Sequence, residues 1–262
     1  MLREANIKKI NLSTGETTDA LDYVAEEKPL HLYVNRTFWA TIQSSPANQK
    51  ELAVGHLLSE GIIKSPEEIA EIELKEADGV CFVKLTSDID VEVRMKLSRL
   101  HARVILTACG SDTPLLFSGK KPEVTSTLTV KAQILSESVK QLNFKAEGYR
   151  KTGGLHVAAL YTADGALVAL AEDVGRHNAV DKVIGMAALK KIDFGGCFLA
   201  LSGRISGDVA FKAAKVGLPI VASLSAALSS GVNMAELSNL TLAGFVRGKR
   251  MNVYTAPERI KL

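Results

Sequence analysis

A charged turn between a predicted strand and a predicted helix carries the strongest chemical signal in this 262-residue sequence. The apolar run Leu167–Ala171 predicts a buried strand and Val183–Leu189 predicts a helix, with charged residues and a histidine between them. A helix N-terminus offers free backbone N–H groups and a positive dipole end, which favour an anion. Gly175 lets the backbone approach a ligand, and Asp181, four residues after His177, can orient its imidazole. The turn therefore predicts either an anion site or a capped, salt-bridged helix start.

Further turns rich in glycine, serine and arginine follow other predicted strands of the C-terminal half, and one more, with a glycine pair and a histidine, precedes its first predicted strand. Because ligands of open α/β sheets bind beyond the carboxyl ends of the strands, we expect these turns to share one rim. Gly203 permits a tight turn, Ser206 can cap the next helix and Arg204 can contact phosphate. Each turn alone is explained by local structure, but together they predict a pocket for a large phosphorylated ligand such as a nucleotide, although none is a P-loop or a GxGxxG motif. Besides Asp173–His177, the turns are Thr152–His156, Ser202–Ser206, Ser223–Ser225 and Phe245–Arg250.

The three cysteines are far apart and odd in number, which argues against a disulfide framework and favours a reducing, cytoplasmic location. Cys81 and Cys197 belong to apolar predicted strands, where a thiol is expected to be inert. Cys109 follows the apolar run Val104–Leu106 and precedes the polar, loop-like stretch Ser111–Pro122. It is either an accessible thiol nucleophile or an ordinary surface cysteine.

Composition excludes several classes of protein. A net charge of +3 is too small to indicate nucleic-acid binding by itself. Met1–Lys9 is charged and lacks the apolar segment of a signal peptide, and Leu218–Val232 is too short and too polar to span a bilayer. These features lead us to expect no nucleic acid and no membrane as partners. No histidine and cysteine pair has the spacing of metal ligands, so we also expect no zinc.

The order of predicted elements indicates an α/β protein with two domains, divided near Thr125. Residues 1–125 are expected to form a smaller α/β domain that contains the hairpin Leu30–Val34/Phe38–Gln43, the helix Gln49–Glu60 and the cysteine loop at 107–122. Residues 126–262 are expected to form a three-layer α/β/α domain with a mostly parallel sheet covered on both faces. Its predicted elements follow the order α-β-β-α-β-α-β-α-β-β: Val130–Leu142, Leu155–Tyr161, Ala166–Ala171, Asn178–Leu189, Cys197–Leu201, Val209–Val216, Ile220–Ser223, Val232–Leu237, Thr241–Val246 and Met251–Thr255.

This order resembles the cytidine deaminase architecture. Deamination requires an H-x-E zinc ligand and general acid followed by P-C-x-x-C, and the sequence contains neither. We therefore expect no deamination. An enzyme that acts on a nucleotide base and a purely structural assembly factor remain as alternative functions.

Motifs along nearly the whole chain resemble the FdhD family of formate dehydrogenase accessory sulfurtransferases. In the C-terminal half they are Glu172–Lys182, Thr152–His156, Ser202–Ser206 and Leu242–Tyr254. In the N-terminal half they are Pro29–Leu30, Val34–Asn35, Pro46, Glu51–Ala53, Gly55–Leu57 and Ser59–Ile63.

The resemblance implies a cytosolic sulfur carrier that acts as a homodimer. Such a protein takes sulfane sulfur from a cysteine desulfurase and delivers it to the molybdenum or tungsten bis-guanine-dinucleotide cofactor (bis-molybdopterin guanine dinucleotide), which then enters formate dehydrogenase. It also implies a C-terminal domain similar to the deaminase fold but without zinc.

Site residues carried over by the resemblance are Cys109, as the persulfide-bearing cysteine, and a basic turn that holds the guanine-dinucleotide cofactor. The turn comprises Phe245, Val246, Arg247, Gly248, Lys249 and Arg250. The nucleotide pocket on the predicted rim adds Arg176, His177, Gly203 and Arg204.

The chain departs from the family pattern at two positions. Asp112 stands where the second cysteine of a C-x-x-C motif is usual, so a dithiol step is lost although one thiolate can still accept and release sulfur. Ser225–Leu228 reads Ser-Ala-Ala-Leu where Ser-Ala-Pro-Thr is usual, which removes a proline-fixed turn and one hydroxyl. The missing cysteine supports an alternative function, a cofactor-binding chaperone without sulfur transfer.

Overall fold

The structure, a computed structural model, describes residues 1–86, 89–90, 94 and 121–262. The N-terminal half contains a two-stranded hairpin and a four-stranded sheet that packs against one helix. The hairpin comprises β1 (Leu2–Ile10) and β2 (Thr17–Ala25). The sheet and helix are formed by β3 (Lys28–Val34), β4 (Thr37–Ser44), α1 (Gln49–Ser59), β5 (Ile69–Lys75) and β6 (Val80–Leu85).

The four-stranded sheet has the order β4-β3-β6-β5, in which only β3 and β6 run parallel. The predicted hairpin between β3 and β4 is confirmed: Asn35 and Arg36 have φ angles of 47° and 66°, as a type I′ turn requires. The helix predicted at Gln49–Glu60 is confirmed as α1. The loop predicted at Ser111–Pro122 lies almost entirely outside the described residues.

No pattern in the sequence predicts the hairpin of β1 and β2. Charged pairs at Arg3–Glu4 and Lys8–Lys9 interrupt the alternation of apolar and polar residues that marks a half-buried strand. The hairpin forms although most of its residues are exposed, so its strands lack the buried face that produces such a pattern.

The C-terminal half follows the predicted order of helices and strands, with β7, α3 and β14 as additional short elements. No helix among the described residues is long and apolar enough to cross a membrane. The elements are β7 (Val130–Lys131), α2 (Ala132–Lys145), α3 (Glu147–Thr152), β8 (His156–Thr162), β9 (Leu167–Asp173), α4 (Arg176–Leu189), β10 (Cys197–Leu201), α5 (Gly207–Val216), β11 (Ile220–Ser223), α6 (Ser229–Leu237), β12 (Thr241–Arg247), β13 (Arg250–Thr255) and β14 (Ile260–Lys261).

The large sheet of this half has the order β13-β12-β11-β10-β8-β9. The expectation of a mostly parallel sheet is wrong, because only β10, β11 and β12 run parallel to one another. The hairpins β8–β9 and β12–β13 are antiparallel, as short connections require, and β8 also pairs antiparallel with β10. The three parallel strands are thus extended by antiparallel β13 on one side and by the β8–β9 hairpin on the other.

The large sheet is covered on both faces, as predicted. Alternate residues of its strands belong to two separate apolar clusters, for example Leu160 to one and Tyr161 to the other. One cluster includes Leu135 and Leu142 of α2, and the other includes residues of α1, α4, α5 and the four-stranded sheet. The cytidine deaminase-like fold and the division near residue 125 stay predictions.

Helices α1 and α4 cross in backbone contact, which joins the two halves of the chain. A Cβ atom on Gly55 would lie 1.8 Å from the carbonyl oxygen of Asp181, and one on Gly185 would lie 1.9 Å from that of Glu51. Only glycine fits at these two positions, because real Cβ atoms do not approach backbone so closely. The crossing therefore fixes α1 directly beside the first turns of α4.

Candidate functional site

The strand register brings the five turns named above to one edge of the large sheet. His156, at the start of β8, pairs with Asp173 at the end of β9, and Ala158 pairs with Leu201 at the end of β10. Strands β11 and β12 run parallel to β10, so the turns after Ser223 and Phe245 lie at the same edge. The sheet thus gathers the chemically conspicuous residues of five separate chain segments.

Asp173 shapes the turn that leads into α4. Its Oδ1 accepts hydrogen bonds from the Gly175 backbone N–H at 2.8 Å and from Asn178 Nδ2 at 2.9 Å. Its Oδ2 accepts from the Ser45 backbone N–H at 3.0 Å and pairs with Lys182 Nζ at 2.6 Å. Because Gly175 is the N-cap and has no side chain, this buried carboxylate defines the shape of the turn in its place.

The interpretation that Asp181 orients His177 is wrong. Asp181 faces α1 and α5 instead, where it accepts hydrogen bonds from Ser59 Oγ at 2.7 Å and Lys212 Nζ at 2.9 Å. Its Oδ2 also lies 3.3 Å from His56 Nδ1. The glycine-mediated crossing of α1 and α4 causes this arrangement, because it places the side chains of α1 within reach of Asp181.

Lys212, Asp181 and Glu60 form a buried ionic cluster. Burial alone would raise the pKa of Asp181, but Lys212 and His56 together lower it to about 2. Lys212 likewise overcomes burial to lower the pKa of Glu60, and the two carboxylates raise the pKa of Lys212 above its usual value. All three groups are therefore ionised at neutral pH, and the cluster has one carboxylate more than its ammonium balances.

His177 is held neutral. Burial lowers its pKa to about 4, and the positive charges of Arg176 and Lys212 act in the same direction. Its Nδ1 atom is buried and has no hydrogen-bond partner among the described residues. The ring thus presents an unpaired polar atom at the first turn of α4.

Gly203 lets His156 and Arg176 come together at the rim. A Cβ on Gly203 would lie 3.2 Å from both His156 Nδ1 and Arg176 Cβ, which is tighter than ordinary packing allows. Burial lowers the pKa of His156, and the charges of Arg176 and Arg204 lower it further. The structure therefore places His156, Arg176, Gly203 and Arg204 close together at the rim.

Ser206 does not cap α5 with its side chain, contrary to the sequence-based expectation. It occupies the N-cap position, but its Oγ atom is buried and has no partner within the described part of the chain. The Gly207 N–H instead donates to Ser230 Oγ at 3.1 Å. A second unpaired polar atom therefore belongs to this sheet edge.

The basic turn after β12 has an unusual backbone. Phe245 has a φ angle of 50°, which is rare for an aromatic residue, and its N–H donates to the Ser225 carbonyl at 2.9 Å. The Arg247 guanidinium lies 5.2 Å from the centre of the Phe245 ring, while Lys249 and Arg250 are exposed. The segment in which this chain departs from the family pattern, Ser225–Leu228, is thus bonded directly to the basic turn.

The two cysteines that the structure describes lie in the protein core, as the sequence predicts. Cys81 and Cys197 are buried, and burial raises the pKa of the Cys81 thiol to about 11 and also raises that of Cys197. Cys109 and its loop lie outside the described residues. Within the described ranges, no group of three or more histidine, cysteine or acidic side chains could hold a metal ion.

The sequence patterns did not predict which distant residues contact Asp181 and Asp173. His56, Ser59 and Glu60 fall on one predicted helix and Lys212 on another, with no local spacing that links them to Asp181. Ser45, more than a hundred residues before Asp173, gave no signal either. A buried charged residue in an otherwise apolar helical pattern, such as Lys212, is the one feature that could have drawn attention.

Comparison with known proteins gives a consistent result. A family model described as FdhD/NarQ family matches residues 25–261. The chain is 37% identical over its full length to a sulfur carrier protein FdhD of Sulfolobus acidocaldarius, and the match covers 99% of that protein. It is 35% identical to a sulfur carrier protein FdhD of Shouchella clausii, and that match covers 95% of this chain and 93% of that protein. A crystal structure of a putative formate dehydrogenase accessory protein from Desulfotalea psychrophila superposes with a TM-score of 0.78 at 25% identity, covering 99% of both chains. The chain belongs to the FdhD/NarQ family.

Proposed function

We propose that this protein is a sulfur carrier that supports the maturation of formate dehydrogenase. The observation that carries the proposal is the similarity over the whole chain to relatives named sulfur carrier protein FdhD. The name of the similar crystal structure, a putative formate dehydrogenase accessory protein, supports the same client. On this proposal a cysteine desulfurase supplies the sulfur in the cytoplasm, and the carrier is a homodimer.

Cys109 is the proposed carrier of the sulfur. As a thiolate it attacks the outer sulfur of the desulfurase persulfide, forming a new S–S bond while the donor's S–S bond breaks and the donor cysteine leaves as thiolate. The other two cysteines are unsuited to this role, since burial raises their pKa values and keeps partners away. With these two cysteines unsuited, the third cysteine of the chain is Cys109, the same residue that the family motif indicates as the sulfur carrier.

The proposed acceptor is the molybdenum or tungsten bis-guanine-dinucleotide cofactor, which is cargo rather than a resident group. Phe245, Val246, Arg247, Gly248, Lys249 and Arg250 would hold its guanine-dinucleotide part. The exposed cations and the Phe245 ring of this turn suit pyrophosphate and a purine base.

Arg176, His177, Gly203 and Arg204 form the second proposed contact with the cofactor. Two arginines beside neutral, partly buried histidines leave the rim with an excess of positive charge, which favours a phosphorylated ligand. The unpaired Nδ1 of His177 offers a hydrogen bond to such a ligand. Sulfur transfer in this arrangement depends mainly on positioning of the two reactants.

The second candidate function is a cofactor-binding chaperone that transfers no sulfur. Asp112 favours it, because the second thiol of the usual C-x-x-C motif is absent. The two functions differ in one measurable property, the formation of a persulfide on Cys109.

Intact-mass spectrometry after incubation with a cysteine desulfurase and cysteine tests the proposal. We expect a gain of one sulfur atom that reductant removes, that peptide mapping places on Cys109 and that Cys109→Ala abolishes. No gain, with the desulfurase active on another acceptor, would exclude the carrier function and leave the chaperone.

A further inference from the structure

The hairpin of β1 and β2 forms a separate two-stranded sheet. Strand β2 packs against α3, where Lys151 Nζ lies 5.0 Å from the centre of the Tyr23 ring, whereas the outer edge of β1 is open. Nine consecutive residue pairs, from Leu2↔Ala25 to Ile10↔Thr17, join the two strands without a bulge. No other strand of the described chain pairs with β1. Two-stranded hairpins are marginally stable in water, so a long one with no further strand calls for a partner.

The free edge of β1 has a definite set of outward-facing backbone groups. The Asn11 N–H donates to the Glu16 carbonyl at 2.9 Å and the Glu26 N–H donates to the Met1 carbonyl at 2.8 Å, one bond at each end of the hairpin. Because hydrogen-bonded pairs alternate along an antiparallel ladder, the odd-numbered residues of β1 bond to β2. The even-numbered residues, from Leu2 to Ile10, therefore point their N–H and C=O groups away from the hairpin, where they can bind another strand.

The side chains of the same even-numbered residues lie on one face with their partners on β2. This face exposes three large apolar side chains: Ile10 is 63% exposed, Leu21 64% and Tyr23 39%. It also carries two polar contacts between the strands: Lys8 Nζ lies 2.8 Å from the Asp19 carboxylate, and Tyr23 Oη donates to Glu4 at 3.4 Å. An exposed apolar face combined with a free edge is typical of an interface.

We propose that the homodimer of the proposed function, on which this inference rests, forms through β1, which pairs antiparallel with β1 of the second copy around a two-fold axis at Asn6. This register pairs every outward-facing residue of the strand. Glu4 then lies opposite Lys8 of the second copy, and Leu2 lies opposite Ile10 of the second copy. The two hairpins form one continuous four-stranded sheet.

Charge complementarity selects a second copy of this chain as the occupant. In the paired sheet, Asp19 and Lys8 of one copy continue into Glu4 of the other, so charges of opposite sign alternate over three neighbouring strands, and the Tyr23 hydroxyl on the fourth strand donates to Glu4. The two-fold axis repeats this row once more on its other side. The like-charged residues Arg3 and Lys9 meet only on the opposite face, where both are exposed and screened by solvent.

A charge exchange tests the pairing directly. Lys8→Glu places two carboxylates opposite each other, and Glu4→Lys places two ammonium groups opposite each other, so each variant alone should dimerise at least about tenfold more weakly than the wild type. An equimolar mixture restores both opposite-charge pairs and should recover the dimer. Light scattering during size-exclusion chromatography measures all three samples, and circular dichroism checks that the variants fold, since both residues are exposed.

A cysteine cross-link tests the register. In a Cys109→Ala background, Asn6→Cys brings two thiols together at the axis and should give an oxidised dimer on a non-reducing gel. Lys9→Cys is the matched control, because its thiols would be about 20 Å apart in this register and could not form a disulfide. A monomeric wild type, a mixture that stays monomeric, or equal cross-linking of the two cysteine variants would overturn the proposal.

Discussion

Two buried lysines hold α4 in place, and they do so in different ways. Lys182 pairs with a single carboxylate, Asp173, and both side chains are completely buried. Its remaining hydrogen bonds go to the backbone carbonyls of Ser45 and Glu172, at 3.1 and 3.3 Å. This pair is balanced in charge and closed to solvent, so its role is to fix the turn at the rim.

Lys212 instead serves two carboxylates, Asp181 and Glu60, at 2.9 and 3.1 Å. The side chains of Glu60 and His56 each remain 18% exposed, so solvent reaches this cluster. The comparison shows one lysine that is balanced by a single carboxylate and closed to solvent, and another that faces two carboxylates and is open to solvent at one side. A variant that leaves the Lys182 ammonium unpaired and a variant that leaves the two carboxylates of Lys212 unpaired should respond to pH in opposite directions.

The largest expected effect is that of Asp173→Ala. It leaves the Lys182 ammonium buried without a counter-charge and should lower the free energy of unfolding by about 5 kcal/mol at pH 7. Burial already lowers the pKa of Lys182, so the penalty should shrink as the pH rises toward 10 and the amine loses its proton. Urea denaturation measures it, and Asp173→Ala/Lys182→Met, which removes both charges, should recover much of the loss.

Lys212→Met should destabilise less, by about 3 kcal/mol at pH 7, because the carboxylates it leaves behind can take up a proton. Without the lysine, burial raises the pKa values of Asp181 and Glu60. The difference from the wild type should then narrow as the pH falls from 7 to 5, the opposite of the trend for Asp173→Ala. The same trend for both variants would contradict the assignment of an unpaired ammonium to one and of unpaired carboxylates to the other.

His177 should make the wild type sensitive to acid. Its pKa is about 4 in the folded protein against an ordinary value of 6.5, so the folded state binds this proton less readily than the unfolded chain. Its contribution to stability is complete above about pH 6.5 and is lost as the pH falls toward 4, amounting to about 2 kcal/mol between pH 7 and pH 5. His177→Asn should lose correspondingly less stability over this interval in urea titrations; an unchanged acid sensitivity would contradict the assignment.

The smallest expected effect on stability is at the basic turn. Arg247→Ala should change the free energy of unfolding by less than about 0.5 kcal/mol, because the residue is exposed. It should weaken the binding of guanosine diphosphate by roughly tenfold in a calorimetric titration, through loss of a charged hydrogen bond. Lys191→Ala, at a lysine that is also exposed, is the matched control and should bind like the wild type; an equal loss in both variants would point to unspecific attraction.

Local features were predictable, while distant partners were not. The hairpin turn at Asn35–Arg36 and the turns that contain Gly175 and Gly203 follow from residue types that are typical of turns. The partner of Asp181 depends on a helix crossing made possible by two glycines far apart in the sequence, which no local spacing records. The β1–β2 hairpin escaped prediction for a related reason: its apolar side chains are exposed, so they follow no buried face.

The most direct test of the central claim combines two readouts on Cys109→Ala. Formate dehydrogenase is matured in extracts that lack their own carrier, with added wild type or variant, and guanosine diphosphate binding is measured on the same preparations. We predict that the variant binds the nucleotide like the wild type but yields no active enzyme. Active formate dehydrogenase with Cys109→Ala would contradict the account, since sulfur could not then pass through this thiol.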